Sequence, residues 1–182
     1  ASGMELAEHF RRMAENNLWS NDRLYRAVLA LGSGEFEAER TSFFPSIKAT
    51  LNHILSVDLY YLDMLQEGGQ GSATFDVWRD YDDPAHLAAA QAETDRRLLD
   101  FCAGLGSAVL DRRVVTDRGE KGLIPERIGD LLAHLFIHQI HHRGQVHAML
   151  SGTSVMPPQL DEYFLDFDLP LRREEMARLK LS

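Results

Sequence analysis

Apolar residues recur every three or four positions along four long segments of the chain, which is the spacing of one face of an α-helix. The predicted helices cover about residues 4–31, 46–66, 83–102 and 125–150. The second is apolar nearly all round, which indicates a helix that is buried on most of its sides. Four helices that each carry an apolar stripe predict an all-α protein built as a four-helix bundle.

Shorter features complete this pattern. Pro125 is predicted to open the fourth long helix, because proline is favoured in the first turn. Just before it, residues 114–116 and 122–124 flank a polar turn and predict a small β-hairpin. The chain after residue 171 is strongly charged and predicts a marginal helix on the surface.

The composition is that of an ordinary globular protein. The chain has 182 residues, 45% of them hydrophobic and 26% charged, which fits one domain with a sizeable core. Its 19 Lys and Arg against 28 Asp and Glu give a net charge of -9. That balance argues against nucleic-acid partners and against anionic membrane surfaces. No apolar run approaches the roughly 20 residues that a membrane-spanning helix needs.

The ends of the chain and its cysteine content bear on location. Ala1 to Gly3 resemble a remnant of an expression vector, with Met4 as the natural start, and no signal-peptide pattern follows. The lone cysteine, Cys102, cannot form an internal disulfide, which is consistent with a reducing compartment. We therefore expect a cytoplasmic protein.

Histidines are the most informative residues. Five of the eight fall within fourteen positions: His134, His138, His141, His142 and His147. His138 and His142 are four residues apart, so a helix places both rings on one face, at positions where the apolar pattern calls for Leu or Val. Buried imidazoles need hydrogen bonds, a charge or a metal ion to compensate their burial. The pattern leaves two alternatives open, a hydrogen-bonded core pair and a pair of metal ligands.

A metal ion would need a third protein ligand. His9 and His86 stand in settings that predict exposure, as does His147 at the far end of the fourth helix. His53 differs, because it lies on the most apolar helix. Its position there fits two alternatives, a hydrogen-bonded core histidine and a metal ligand. Spacing alone does not join His53 to the fourth helix. Three neutral imidazoles would leave a coordination position free for water or a small molecule.

A few other residues carry weaker predictions. Asn17 and Asn21, one turn apart on the first helix, are candidates to hydrogen-bond ligand side chains or to satisfy buried backbone groups. His141 and Arg143 flank the histidine pair, and Arg143 is expected chiefly as a structural ion-pair partner. Gly144 within a helix suggests a close contact with another helix.

Three blocks of sequence resemble the signature of the DinB/YfiT-like superfamily. The likeness covers roughly residues 4–167, and the order and separation of the blocks also fit. The blocks are Asn17-Leu-Trp-Ser-Asn21, Ile47-Lys-Ala-Thr-Leu-Asn-His53-Ile-Leu, and His138-Gln-Ile-His-His-Arg-Gly-Gln145 after Leu131-Leu-Ala-His-Leu. The resemblance implies an up-down-down-up four-helix bundle over residues 4–167, followed by a charged C-terminal tail at 168–182, and often a homodimer.

The resemblance also implies chemistry. It implies one divalent metal ion held by His53, His138 and His142, with zinc or nickel favoured and iron, manganese or copper also open. His141 matches a position that is not normally a ligand in the family.

Some members are thiol S-transferases, so the leading hypothesis is metal-dependent transfer of a low-molecular-weight thiol to electrophiles in stress or detoxification. The reactive group would be a metal-bound thiolate or water. A non-catalytic metal-binding stress or interaction protein is one alternative, and a metal-dependent hydrolase or isomerase is another.

Overall fold

A computed structural model describes residues 4–182, so the prediction about Ala1 to Gly3 lies outside the described residues. The long helices are α1 (Leu6–Leu29), α2 (Ile47–Leu65), α4 (Pro84–Ala103) and α5 (Ile128–Leu150), with short α3 (Ala73–Asp76) and α6 (Leu169–Arg178). Strands β1 (Arg113–Asp117) and β2 (Leu123–Arg127) form a two-stranded antiparallel sheet. Three 3-10 turns cover Ser107–Asp111, Gly119–Lys121 and Asp166–Asp168. The four predicted long helices and the hairpin are thus confirmed.

Side-chain contacts between the long helices give their directions. Phe10 of α1 packs near Phe136 of α5, and Asn17 further along α1 bonds Arg143 further along α5, so α1 and α5 are parallel.

The same reasoning applies to α2 and α4. Asp58 of α2 bonds Gln91 of α4, and Gln66 at the end of α2 bonds Arg97 further along α4, so the two helices are parallel. The pairing of α2 with α5 is antiparallel, because His53 meets His138 while the later Tyr61 lies near the earlier His134. The bundle is therefore up-down-down-up, as expected.

Two apolar clusters fill the bundle, and each takes residues from all four long helices. One cluster contains Phe10, Leu62, Leu98 and Leu132, and the other contains Leu24, Leu51, Leu87 and Leu150. Between them, all four helices carry buried polar side chains: Asn17, Asn21, Asp58, Gln91, Asp95, Gln139 and Arg143. We call these seven residues the polar layer. It divides the hydrophobic core at the level of the histidines on α5.

The predicted start of the fourth helix is wrong. Pro125 lies in β2 opposite Val115, and α5 begins three residues later at Ile128. A two-stranded sheet has only edge strands, so a proline that lacks an N–H donor is tolerated there. The backbone N–H of Ile128 then donates to Arg112 O at 2.9 Å, which joins the hairpin to the start of α5.

The charged tail forms a helix, as predicted, and side-chain bonds attach it to the bundle. Arg23 of α1 pairs with Glu175, and Asp22 pairs with Arg178 at 2.6 Å. Arg96 of α4 also donates to Leu179 O at 2.6 Å. These contacts hold α6 across the α1–α4 face, on the far side of the bundle from α2 and α5.

Candidate metal centre

The three histidines of the sequence hypothesis meet between α2 and α5. The Nε2 atoms of His53 and His138 are 3.0 Å apart, and the ring of His142 lies 4.7 Å from His53 and 4.5 Å from His138 between centroids. One nitrogen from each ring falls within 4.8 Å of the others, so the group could hold a metal ion. Antiparallel packing of α2 on α5 is what joins residues 85 positions apart in the chain.

The electrostatics of the group favour neutral rings. Burial lowers the pKa of His53 to about 4, with a further contribution from nearby His142. Burial likewise lowers the pKa of His138 to about 3, and the surrounding histidines add to the effect. At neutral pH both rings are uncharged, which is the form that binds a metal ion through a nitrogen lone pair.

Two further residues orient the rings. His142 Nδ1 lies 2.8 Å from Gln145 Oε1, and since an amide oxygen only accepts, Nδ1 carries the proton and Nε2 keeps its lone pair. Phe44 stacks on His53 with centroids 4.2 Å apart and meets His142 edge-on at 5.6 Å. The sequence analysis missed both residues. Gln145 could have been found, because it lies one turn after His142 on the same helix face.

The other histidines lie outside the group. His134 and His141 are exposed on α5, and His9 and His86 are exposed as predicted. The prediction that His147 is a surface residue is wrong, because it is half-buried with Nε2 2.7 Å from Pro158 O. That contact depends on the chain after α5 folding back, which no spacing in the sequence indicates.

The residues predicted to support the ligands bond elsewhere. Asn17 and Asn21 donate to the two oxygens of Asp95 at 3.0 and 2.9 Å, and Arg143 Nη1 donates to both asparagine Oδ1 atoms. Across residues 4–182, none of these three side chains hydrogen-bonds His53, His138 or His142. Arg143 has the expected structural role, although its direct partners are amides rather than a carboxylate.

The carboxylates of the polar layer were not predicted at all. Asp58 accepts from Gln91 and Gln139, and Asp95 accepts from Gln91 as well as the asparagines. Burial raises the pKa of Asp58 to about 7, and the charge of Asp95 adds to this. Burial raises the pKa of Asp95 to about 6. The sequence analysis located helices by the spacing of apolar residues. Buried polar residues interrupt that spacing, so the analysis does not detect a cluster of them.

The interpretation of Gly144 is also wrong. A Cβ atom at this position would meet nothing within 4 Å, so no neighbouring helix requires glycine there. Gly144 instead lines a cavity of about 440 Å³ between α1, α5 and the segment around Tyr163. That cavity contains none of the three histidines. A different cavity, of about 420 Å³ between α2 and the hairpin, is lined in part by His138.

Taken together, the described residues form a helical bundle with a partly buried three-histidine group between α2 and α5 that could hold one metal ion. Within residues 4–182, the helices lack the combination of length and hydropathy that a membrane span requires. A model of the DinB family matches residues 5–170, and the chain belongs to this family.

Individual relatives agree with this assignment. Protein DinB of Bacillus subtilis (strain 168) is 22% identical over 155 residues, which cover 76% of this chain and 83% of that protein. The crystal structure of a DinB-like protein (YjoA) from Bacillus subtilis aligns with a TM-score of 0.58 at 16% identity. The alignment covers 80% of this chain and 96% of that one, and at such identity it establishes the fold alone.

Proposed function

We propose that this protein is a metal-dependent enzyme that transfers a low-molecular-weight thiol to small electrophiles. The observation that carries the proposal is the convergence of His53, His138 and His142 beside a cavity that His138 itself lines. Neutral imidazoles suit zinc and nickel, so we propose one of these two ions as the cofactor. Iron, manganese and copper are outcomes that elemental analysis would distinguish.

The number of protein ligands supports an enzyme over a purely structural site. Structural zinc sites usually fill all four coordination positions with protein side chains, whereas catalytic sites keep one open. Within residues 4–182, the group contains three histidines and no fourth histidine, cysteine, aspartate or glutamate. An ion held by three imidazoles therefore has room for a small molecule.

A bound divalent cation supplies an electrostatic field that lowers the pKa of a thiol or water reaching it. The chain's own residues do the rest. Gln145 fixes the tautomer of His142, and Phe44 covers the outer face of His53. In the proposed reaction the external thiol gives up its proton to solvent water, its sulfur forms a bond to an electrophilic carbon, and the leaving group departs with the electron pair of the bond that breaks.

The thiol must come from outside the protein. Cys102 is the chain's single cysteine; it is buried, and burial raises its pKa to about 12. A thiol of that pKa supplies almost no thiolate at neutral pH. Cys102 packs within the apolar cluster that also contains Leu98.

The test is a turnover assay with zinc- and nickel-loaded protein, using a panel of small thiols against alkyl halides and epoxides. The proposal predicts thiol-dependent product that disappears in His138→Ala and remains in His134→Ala, which removes an exposed histidine from the same helix. Product formed at the same rate without any thiol would instead indicate a hydrolase. Absence of turnover across the whole panel would overturn the proposal.

A further inference from the structure

The cavity beside His138 has a distinctive lining. It measures about 420 Å³, lies between α2, α3 and the turn of the hairpin, and is lined on one side by Tyr60, Tyr61 and Phe75. Arg118 and Lys121 line it from the hairpin turn, and His138 lines it from α5. Aromatic, cationic and metal-ligating side chains thus face one space.

The two cations of this cavity are not neutralised by ion pairs. Among residues 4–182, no carboxylate lies within 4.0 Å of a side-chain nitrogen of Arg118 or Lys121. Arg118 Nη1 donates to Tyr61 Oη at 3.2 Å, and its guanidinium lies 5.7 Å from the Tyr61 ring, so its position is fixed while its charge is not cancelled. Unpaired cations are notable in a chain with a net charge of -9.

Acidic groups nearby do not remove this charge. Asp117 also lines the cavity, but its Oδ2 accepts from the backbone and hydroxyl of Ser72 and its Oδ1 accepts from Gly119 N. These bonds direct the carboxylate into the loop that precedes α3. Glu126 on β2 acts on Arg118 only at longer range. The cations of the lining therefore outnumber its one carboxylate by two to one.

The aromatic side chains form an apolar wall beside the cations. The Tyr60 ring lies 4.7 Å from Phe75 and 5.1 Å from Tyr61 between centroids. Tyr60 Oη donates to the backbone oxygen of Asp117, so it is the ring, and not the hydroxyl, that is free to pack against a bound molecule. Phe75 is 43% exposed although it belongs to this wall.

This cavity borders the histidine group at His138. Phe44 covers His53 and touches the edge of His142, so that side is closed by an aromatic ring. His138 is the one histidine of the group that borders the cavity. A molecule held against the aromatic wall would therefore lie next to His138.

We propose that this cavity selects substrates carrying an anionic group, which Arg118 and Lys121 bind while the reactive end faces His138. The inference rests on the proposed function for the identity of the reactive end, which is a thiol. The substrate class is then a small acidic thiol, with a carboxylate or phosphate on a short chain from the sulfur. Arg118 is half-buried and Lys121 is exposed, and both favour an anion over a cation of the same size.

Three thiols of similar size and different charge test the inference: 3-mercaptopropionate, 2-mercaptoethanol and cysteamine. Cobalt-loaded protein reports thiol binding through the sulfur-to-cobalt absorption band. We expect 3-mercaptopropionate to bind roughly three- to tenfold more tightly than 2-mercaptoethanol, and cysteamine to bind most weakly. Arg118→Gln with Lys121→Gln should abolish this preference, whereas Arg118→Lys should keep it. Arg173→Gln with Lys180→Gln removes two exposed charges near the C-terminus and is the control for net charge.

A second measurement separates this inference from the proposed function. If no thiol binds the cobalt-loaded protein, the proposed function fails, and the anion site is tested alone with 3-phenylpropionate and metal-free protein by ligand-observed NMR. Binding that is lost in the double variant supports the site without reference to metal or thiol. Equal affinities for the three thiols, or no binding of 3-phenylpropionate, would overturn the inference.

Discussion

The Nε2 atoms of His53 and His138 face each other at 3.0 Å across the α2–α5 interface. Burial keeps both rings neutral at physiological pH, so at least one lone pair points into the space between them. A single shared proton satisfies two nitrogens, but the third ring, His142, is turned toward the same space by Gln145. A metal ion is a partner that satisfies all three rings together.

Removing one ligand should abolish tight metal binding. For His138→Ala we expect zinc affinity to fall at least about 100-fold, because two imidazoles remain and neither site geometry nor charge compensates the loss. Competition with a chromophoric chelator measures this on untagged protein. His134→Ala is the matched control, since it deletes an exposed histidine one turn earlier on α5. Equal affinities in the two variants would contradict the assignment of His138 as a ligand.

Gln145 should influence metal binding without touching the metal. In Gln145→Leu the Nδ1–H of His142 loses its acceptor, so the ring is free to rotate and to change tautomer, and we expect roughly 10- to 100-fold weaker zinc binding. Gln145→Glu keeps an acceptor at that place and should retain most of the affinity. The same chelator competition serves here, and a leucine variant that binds zinc as tightly as the parent would exclude this positioning role.

Asp58 should make stability fall as the pH rises. Burial raises its folded pKa to about 7, while an unfolded chain ionises near 3.9, so between these values the folded state alone holds the proton. Replacing it in Asp58→Asn removes the titration, and Gln139 can rotate its amide to present an oxygen. Relative to this variant, the wild type should lose on the order of 1–3 kcal/mol of unfolding free energy between pH 5 and pH 8.

Urea unfolding at the two pH values measures this difference. The exposed Asp111→Asn is the control for removal of a surface carboxylate. If Asp58→Asn also tracks the wild type at both pH values, the carboxyl is not the group that titrates. Titration of the histidines of the metal centre also affects stability, but they are present in every variant, so their contribution cancels in the difference between variants.

The Cys102 thiol should not react with thiol reagents in the native protein. Its burial and its pKa of about 12 predict no reaction with a disulfide reagent until urea unfolds the chain. Cys102→Ala should keep thiol-dependent turnover, since the proposed reaction uses an external thiol. Rapid labelling of the folded protein, or loss of turnover in the alanine variant, would place a reactive cysteine in the mechanism after all.

The sequence predicted much of the fold because each long helix buries one face, and the apolar residues of that face recur at helical spacing. The apolar stripes of α1, α2 and α5 predicted three helices within about three residues of their ends, and in the structure Asp83 caps α4 by accepting from Ala85 N. The start of α5 was missed because Pro125 suits a helix start and an edge strand equally well. Local preference alone does not choose between these, whereas pairing with β1 does.

The candidate site was predictable only in part, for a similar reason. His138 and His142 share one turn of one helix, so their relationship is local and the sequence shows it. His53 joins them through packing of α2 on α5, and only the family resemblance suggested it in advance. Contacts that span the bundle, such as Asp95 with Asn17, were beyond any spacing rule. The expected homodimer stays a prediction, which sedimentation velocity would test.

X-ray absorption spectroscopy of zinc-loaded protein, before and after addition of 3-mercaptopropionate, tests the central claim most directly. The account predicts three imidazole nitrogens about 2.0–2.1 Å from zinc, and a new sulfur neighbour at about 2.3 Å once the thiol is present. Protein that takes up no zinc, or zinc bound by fewer than three imidazoles, would contradict the three-histidine centre. A spectrum that the thiol leaves unchanged would show that small molecules do not reach the ion.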